Sequence, residues 1–189
     1  TAGIKTPKKQ RKLPDVLTKD EIKQLLGSAD SLRDKLLIEF MYSSGLRVAE
    51  CASLKISDLD LKEKIGLLKK GKGAKDRFFI LSEKLITDLS QYLEEREEQS
   101  KYVFPGRTEA ISTRRIQEIV HQTAKKAGIK NKVYCHLLRH AFATHLLEAG
   151  TDIRLIQELL AHSNLQTTQF YTKISTKQLK LVKSPLDNL

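Results

Sequence analysis

The stretch HLLRH at 136–140 sets His136 and Arg139 three positions apart, which on a helix brings both to nearly the same face. An imidazole beside a guanidinium suits a phosphate. The arginine can grip it through a bidentate fork, and the histidine can donate to it or carry a proton. His136 and His140 also stand four apart, a spacing shared with zinc sites. The metal reading fails on chemistry, because the glutamate of HExxH is missing and a guanidinium at i+3 opposes a cation. Arg47 follows Gly45 and Leu46 at the end of an apolar run, where an arginine is costly unless an anion pairs with it. His162 closes a second apolar run, and Tyr171 comes nine residues later. A tyrosine hydroxyl titrates near about 10, so it is a nucleophile only with cations or a base close by, and this chain carries both. Each residue also has a plainer reading: Arg47 laid along apolar surface, His140 and His145 as hydrogen-bonded structural groups, Tyr171 as a half-buried ring.

Such residues need elements to position them. Thr18 with Glu21 forms a capping box ahead of a helix carrying Ile22, Leu25 and Leu26. Leu32, Leu36, Leu37, Phe40 and Met41 continue at helical spacing, with Gly45 as the stop. A short helix is expected over 48–54, strands over 56–61 and 65–69, a glycine-bracketed turn GKGAKDR over 71–77, and a third strand over 78–81. Ser82 opens a helix with Leu85, Ile86, Leu89 and Leu93, and Ser112 opens another that runs through Ile116, Ile119, Val120, Ala124 and Ala127 to Gly128. Further helices are predicted over 136–149, 152–161, 167–173 and 175–183. The fold class is mainly α with one small antiparallel β-sheet near the start.

Length and charge bound the function. The 189 residues are 40% hydrophobic, enough for a real core and too apolar for a disordered chain. Apolar runs are too short for a spanning helix, so no membrane partner is expected. Two cysteines, Cys51 and Cys135, lack any zinc spacing and cannot build a disulfide framework, which points to a reducing, cytoplasmic setting. With 34 Lys or Arg against 23 Asp or Glu, the formal charge is +11, a surplus that suits a polyanion. It is segregated: five bases and no acid between Lys5 and Lys12, then seven bases between Lys62 and Arg77.

Four blocks, SSGLRVAE (43–50), GKGAKDR (71–77), HLLRHAFATHLLEAG (136–150) and IQELLAHSNLQTTQFYT (156–172), resemble in order and separation those of the tyrosine recombinases. This is the phage-integrase family, and the likeness is greatest to its Xer-type members. The resemblance implies a mainly helical catalytic domain over 16–173, a basic linker or arm over 1–15 and a C-terminal helix or tail over 174–189. Family members carry a separate N-terminal helical domain that also grips DNA, and on that plan this chain corresponds to the catalytic half. The resemblance further implies that Arg47 and Arg139 clamp the scissile phosphate, and that Lys72, with Lys75 its competitor in the same turn, protonates the departing 5′ oxygen. His136 would act as general acid/base, His162 would position the nucleophile, and Tyr171 would attack phosphorus to give a 3′-phosphotyrosyl link. That ester stores the bond energy, so neither ATP, metal nor other cofactor is expected. Cys135 stands where proline or serine is commoner in the family, and Ala161 where glycine is usual.

Double-stranded DNA is the expected partner. Lys8, Lys9 and Arg11 of the arm, Lys75 and Arg77 of the turn, and Arg114 and Arg115 at a helix start are the expected phosphate contacts. Helix 112–127, with Gln117 and Gln122, is the candidate groove reader. The resemblance implies four protomers exchanging strands through a Holliday junction, in a role like chromosome-dimer resolution, with the tail docked on a neighbouring subunit; the alternative is a tail folded on its own chain. Competing functions are a type IB topoisomerase and a phage or mobile-element integrase. A noncatalytic architectural protein would not need all six polar residues, and an RNA-binding protein would show an aromatic RNA-binding motif that is missing here.

Overall fold

The computed structural model describes residues 16–69, 76–96, 99–107, 109–160, 179 and 181–189. Helix α1 (Lys19–Gly27) begins at the expected capping box: Thr18 N donates to Glu21 Oε2 at 2.8 Å, and Glu21 N donates to Thr18 Oγ1 at 3.2 Å. Helix α2 (Leu32–Ser43), capped by Ser31, is buried at every position from 36 to 43. A helix enclosed on all sides belongs at the centre of a domain. It packs against α1, the short α3 (Val48–Ala52), α4 (Glu83–Glu95), α5 (Thr113–Lys126) and α6 (Cys135–Glu148).

The sheet is three antiparallel strands in the order β1 (Leu59–Asp60), β2 (Ile65–Leu68), β3 (Arg77–Ile80). Gly66 pairs with Phe79, and a β-carbon at Gly66 would lie 2.0 Å from the Phe79 ring, so the ring occupies the space a side chain would need. The expected strand over 56–61 is shorter than its sequence suggested. Ile56–Asp58 forms a 3₁₀ turn because the Asp58 carboxylate accepts from Lys55 N at 3.0 Å, a local bond that competes with a ladder. Two isolated bridges, Lys55 with Tyr102 and Pro105 with Ala110, were not foreseen.

Most buried apolar side chains form one core around α2, from Leu17 to Leu186. A second, smaller cluster joins Ile80 of β3, Phe142 and Leu146 of α6, and Ile156, Leu159 and Leu160 of α7 (Ile153–Leu160), with Leu179 added from the tail. The helix predicted over 167–173 lies outside the described residues. Of that over 175–183, Leu179 is helical and 181–183 are a turn, a bend and irregular chain. An unpredicted 3₁₀ turn, Pro185–Asn188, follows. It folds back on the chain's own body: Ser184 Oγ donates to Ser43 O at 2.8 Å, Leu186 is buried, and Asp187 Oδ1 accepts from Glu83 N at 3.0 Å at the start of α4. Among the described residues no helix is long and apolar enough to cross a membrane.

Candidate active site

The end of α2, the start of α6 and the end of α7 converge on one guanidinium. Arg139, 4% exposed, donates Nη1 to Gly45 O and Nη2 to Leu160 O. Gly45 makes this possible in two ways. Its φ of +62° suits only a residue without a β-carbon, and an added one would lie 2.6 Å from Phe142 Cδ1. The turn therefore presses against α6, with its carbonyl bonded to the arginine. Leu160 is the last described residue of α7, and its carbonyl dipole receives the guanidinium.

Arg47 precedes α3 and is partly exposed, its side chain 44% accessible. Glu50 holds it twice, accepting from the Arg47 backbone N–H at 2.8 Å on Oε2 and from Nη1 at 3.0 Å on Oε1. The same carboxylate accepts from Arg77 Nη2 at 2.5 Å, while Arg77 Nη1 donates to Leu159 O at 2.5 Å. Two guanidiniums thus share one carboxylate, and the charge of Arg139 lies near enough to feel it. Burial alone would raise the Glu50 carboxyl, but Arg77, then the backbone and charge of Arg47, outweigh it and hold it below the usual carboxylate range. Burial, with the like charges of Arg47 and Arg77, pulls the Arg139 guanidinium down to about 10, still protonated at neutral pH. Burial also lowers Arg77, against the pull of Glu50.

His136 lies in the first turn of α6 and is exposed, whereas Arg139, three residues on, is buried. The pair offers one solvent-facing imidazole above one enclosed cation. His145 is the structural histidine that its apolar surroundings suggested: Nδ1 lies 3.0 Å from the buried Tyr42 hydroxyl. Arg114 and Arg115 are exposed in the first turn of α5, where positive charge opposes the helix dipole, and both pair with Glu118, at 3.2 and 3.6 Å. Gln117 and Gln122 are exposed on the same helix. Lys8, Lys9, Arg11, Lys72, Lys75, His162 and Tyr171 lie outside the described residues.

Arg77 departs from its expected place. It is as enclosed as Arg139, but its charge is met by the Glu50 carboxylate and not by carbonyls alone, which sets it apart from the expected phosphate contacts. The lysine-rich run before it reads as one basic surface, yet β3 starts at Arg77 and turns this side chain to the core. Glu50 carried no assigned role from sequence. Its signal was legible, since a glutamate three residues past the residue preceding a helix is the reciprocal half of a cap.

Residues 15–178 match the model of the phage integrase family, and the chain belongs to that family. It is 44% identical over 181 residues to the tyrosine recombinase XerA of Pyrococcus horikoshii, covering 94% of this chain and 63% of that protein. The chain thus spans somewhat under two thirds of the length of that relative. Its fold matches a crystal structure of XerA recombinase with a TM-score of 0.77 at 38% identity, over 93% of this chain and 65% of the other. It also matches the XerH site-specific recombinase bound to its difH substrate in a pre-cleavage complex, with a TM-score of 0.69 at 30% identity, over 90% of this chain and 53% of the other.

Proposed function

We propose that this chain is the catalytic part, over 16–173, of a site-specific DNA recombinase of Xer type that cuts and rejoins double-stranded DNA through Tyr171. The observation that carries the reading is the buried Arg139 braced by Gly45 O and Leu160 O beside Arg47, with exposed His136 one turn away. Three arginines against one carboxylate leave the described cluster two positive charges in excess. A phosphodiester gains charge as it becomes pentacoordinate, so this surplus favours the transition state over the ground state. Arg47 and Arg139 hold the nonbridging oxygens and His136 exchanges a proton. By their match to the family blocks, Lys72 protonates the leaving 5′ oxygen, His162 positions the nucleophile and Tyr171 attacks.

The arm's Lys8, Lys9 and Arg11, together with Lys75, Arg114 and Arg115, supply phosphate contacts. Four copies assemble on two sites in the cytoplasm, with chromosome-dimer resolution the favoured role. Assembly through the C-terminal segment is supported by exposed Leu147, Ile153 and Leu181, near a cleft of about 520 Å³ lined by 149–152 and 181–183. The deciding experiment uses a nicked suicide duplex carrying the candidate recombination site. Wild type should trap a covalent adduct on denaturing gels and Tyr171→Phe none; an equal adduct from the Phe variant overturns the assignment. Relaxation of a supercoiled plasmid without paired sites would favour a topoisomerase instead.

A further inference from the structure

Arg77 is the residue in this region that the mechanism above does not use. Its side chain is 3% exposed and its charge is already paired with Glu50 at 2.5 Å, yet it brings a full charge into the interior. Its Nε has no hydrogen-bond partner among the described residues. A buried, incompletely satisfied guanidinium is expensive, and an apolar side chain of similar size would often pack there at lower cost. What it touches suggests why it is kept. Nη2 meets Glu50 Oε2, the oxygen that also caps the Arg47 backbone, and Nη1 meets Leu159 O, next to the Leu160 carbonyl bound by Arg139. It therefore touches the supports of both arginines that the recombinase reading assigns to the phosphate, without being one of them.

We infer that Arg77 is a positioning residue that neutralises Glu50, so that the carboxylate orients Arg47 without cancelling its charge. Without Arg77, Glu50 and Arg47 form a closed neutral pair, and a phosphate must compete with the carboxylate for the same guanidinium. With it, the carboxylate is shared and Arg47 retains affinity for an incoming anion. The second contact, to Leu159 O, ties β3, which follows Lys72 in sequence, to α7, which precedes His162 in sequence. One buried cation thus links the starting points of three catalytic segments.

This inference rests on the recombinase reading, and the test separates the two. Adduct formation on the suicide duplex is measured for wild type, Arg77→Met, Arg77→Lys, Glu50→Gln and the Arg77→Met/Glu50→Gln double variant, with DNA affinity measured in parallel. Arg77→Met should bind DNA with wild-type affinity and cleave about 100-fold more slowly, the scale of a displaced catalytic group. Arg77→Lys keeps the charge and should stay within about 10-fold of wild type, which also secures the test should the methionine variant fail to fold. Adding Glu50→Gln to Arg77→Met removes the unbalanced carboxylate and should recover about 10-fold of the lost rate. A purely structural role would make the double variant worse than Arg77→Met. That result, wild-type cleavage by Arg77→Met, or equal losses in the Met and Lys variants would each overturn the inference. A wild-type protein that forms no adduct overturns the recombinase reading itself.

Discussion

Two clusters of charge flank α2, and they resolve their imbalance in opposite ways. At its C-terminal end Arg47 and Arg77 hold a single carboxylate with the charge of Arg139 nearby, and the excess is positive. On its α4-facing side Glu39, fully buried, sits with Asp88 around Lys35, and the excess is negative. Lys35 Nζ donates to Asp88 Oδ2 at 2.5 Å and lies 3.6 Å from Glu39, neither of whose oxygens has a hydrogen-bond partner among the described residues. Burial, with the neighbouring Asp88 charge, pushes the Glu39 carboxyl up to about 8. A proton satisfies this cluster from within, at neutral pH, and leaves nothing to recruit. The arginines cannot shed their protons at that pH, so their excess is met by backbone carbonyl dipoles and stays available to an anion. An unsatisfied acid inside a fold becomes neutral; an unsatisfied arginine cluster becomes a binding site.

The largest test of that contrast is Arg139→Lys. One ammonium cannot present the planar fork that meets both Gly45 O and Leu160 O, and cleavage should fall by roughly 10²- to 10³-fold with DNA affinity largely kept. Single-turnover adduct kinetics read this directly, and wild-type kinetics would break the comparison at its positive side. Gly45→Ala attacks the same region through the backbone. A left-handed φ and a 2.6 Å approach to Phe142 predict a loss of about 2–3 kcal/mol, measured by urea denaturation, together with slower cleavage as the carbonyl leaves Arg139.

Glu39→Gln sharpens the negative side. Burial holds the folded carboxyl up at about 8, against an ordinary carboxylate value of 4.5 in the unfolded chain, so between those limits the folded chain holds the extra proton. Stability should be highest below that window and decline as pH rises through it, by on the order of 5 kcal/mol. The glutamine variant should flatten that slope in thermal melts at pH 5 to 9; an unchanged slope would remove Glu39 as its source. The smallest effect is expected from Ser184→Ala, which leaves Ser43 O without its donor and should cost about 1 kcal/mol. A cost indistinguishable from zero would mean that the tail contributes little to closing α2.

Much of the fold was legible because caps and apolar spacing are local. Thr18, Ser82 and Ser112 each accept from a backbone N–H at their helix start, and the predicted helices begin where those residues stand; Ser31 caps α2 in the same way. The strand over 56–61 was misjudged because the Asp58 side chain offers its backbone a turn, and nothing in residue alternation reveals that competition. At the site the sequence named Arg47, His136 and Arg139 but could not say which were enclosed. Enclosure depends on Gly45 and Leu160, residues 94 and 21 positions from Arg139. Arg77 was misplaced for the same reason: Glu50, the acid that makes its burial tolerable, lies 27 residues away.

The bond from Ser184 to the end of α2 has a consequence for how the protein is made. Ser43 and Ser184 are 141 residues apart, and Leu186 completes a core whose central helix leaves the ribosome early. At roughly 5–20 residues per second, α2 waits on the order of ten to thirty seconds of synthesis before its last carbonyl finds a donor. Through that interval the helix that is buried on every side in the finished domain lacks its final cover, and the nascent chain must be kept from associating through that face until its last turn arrives.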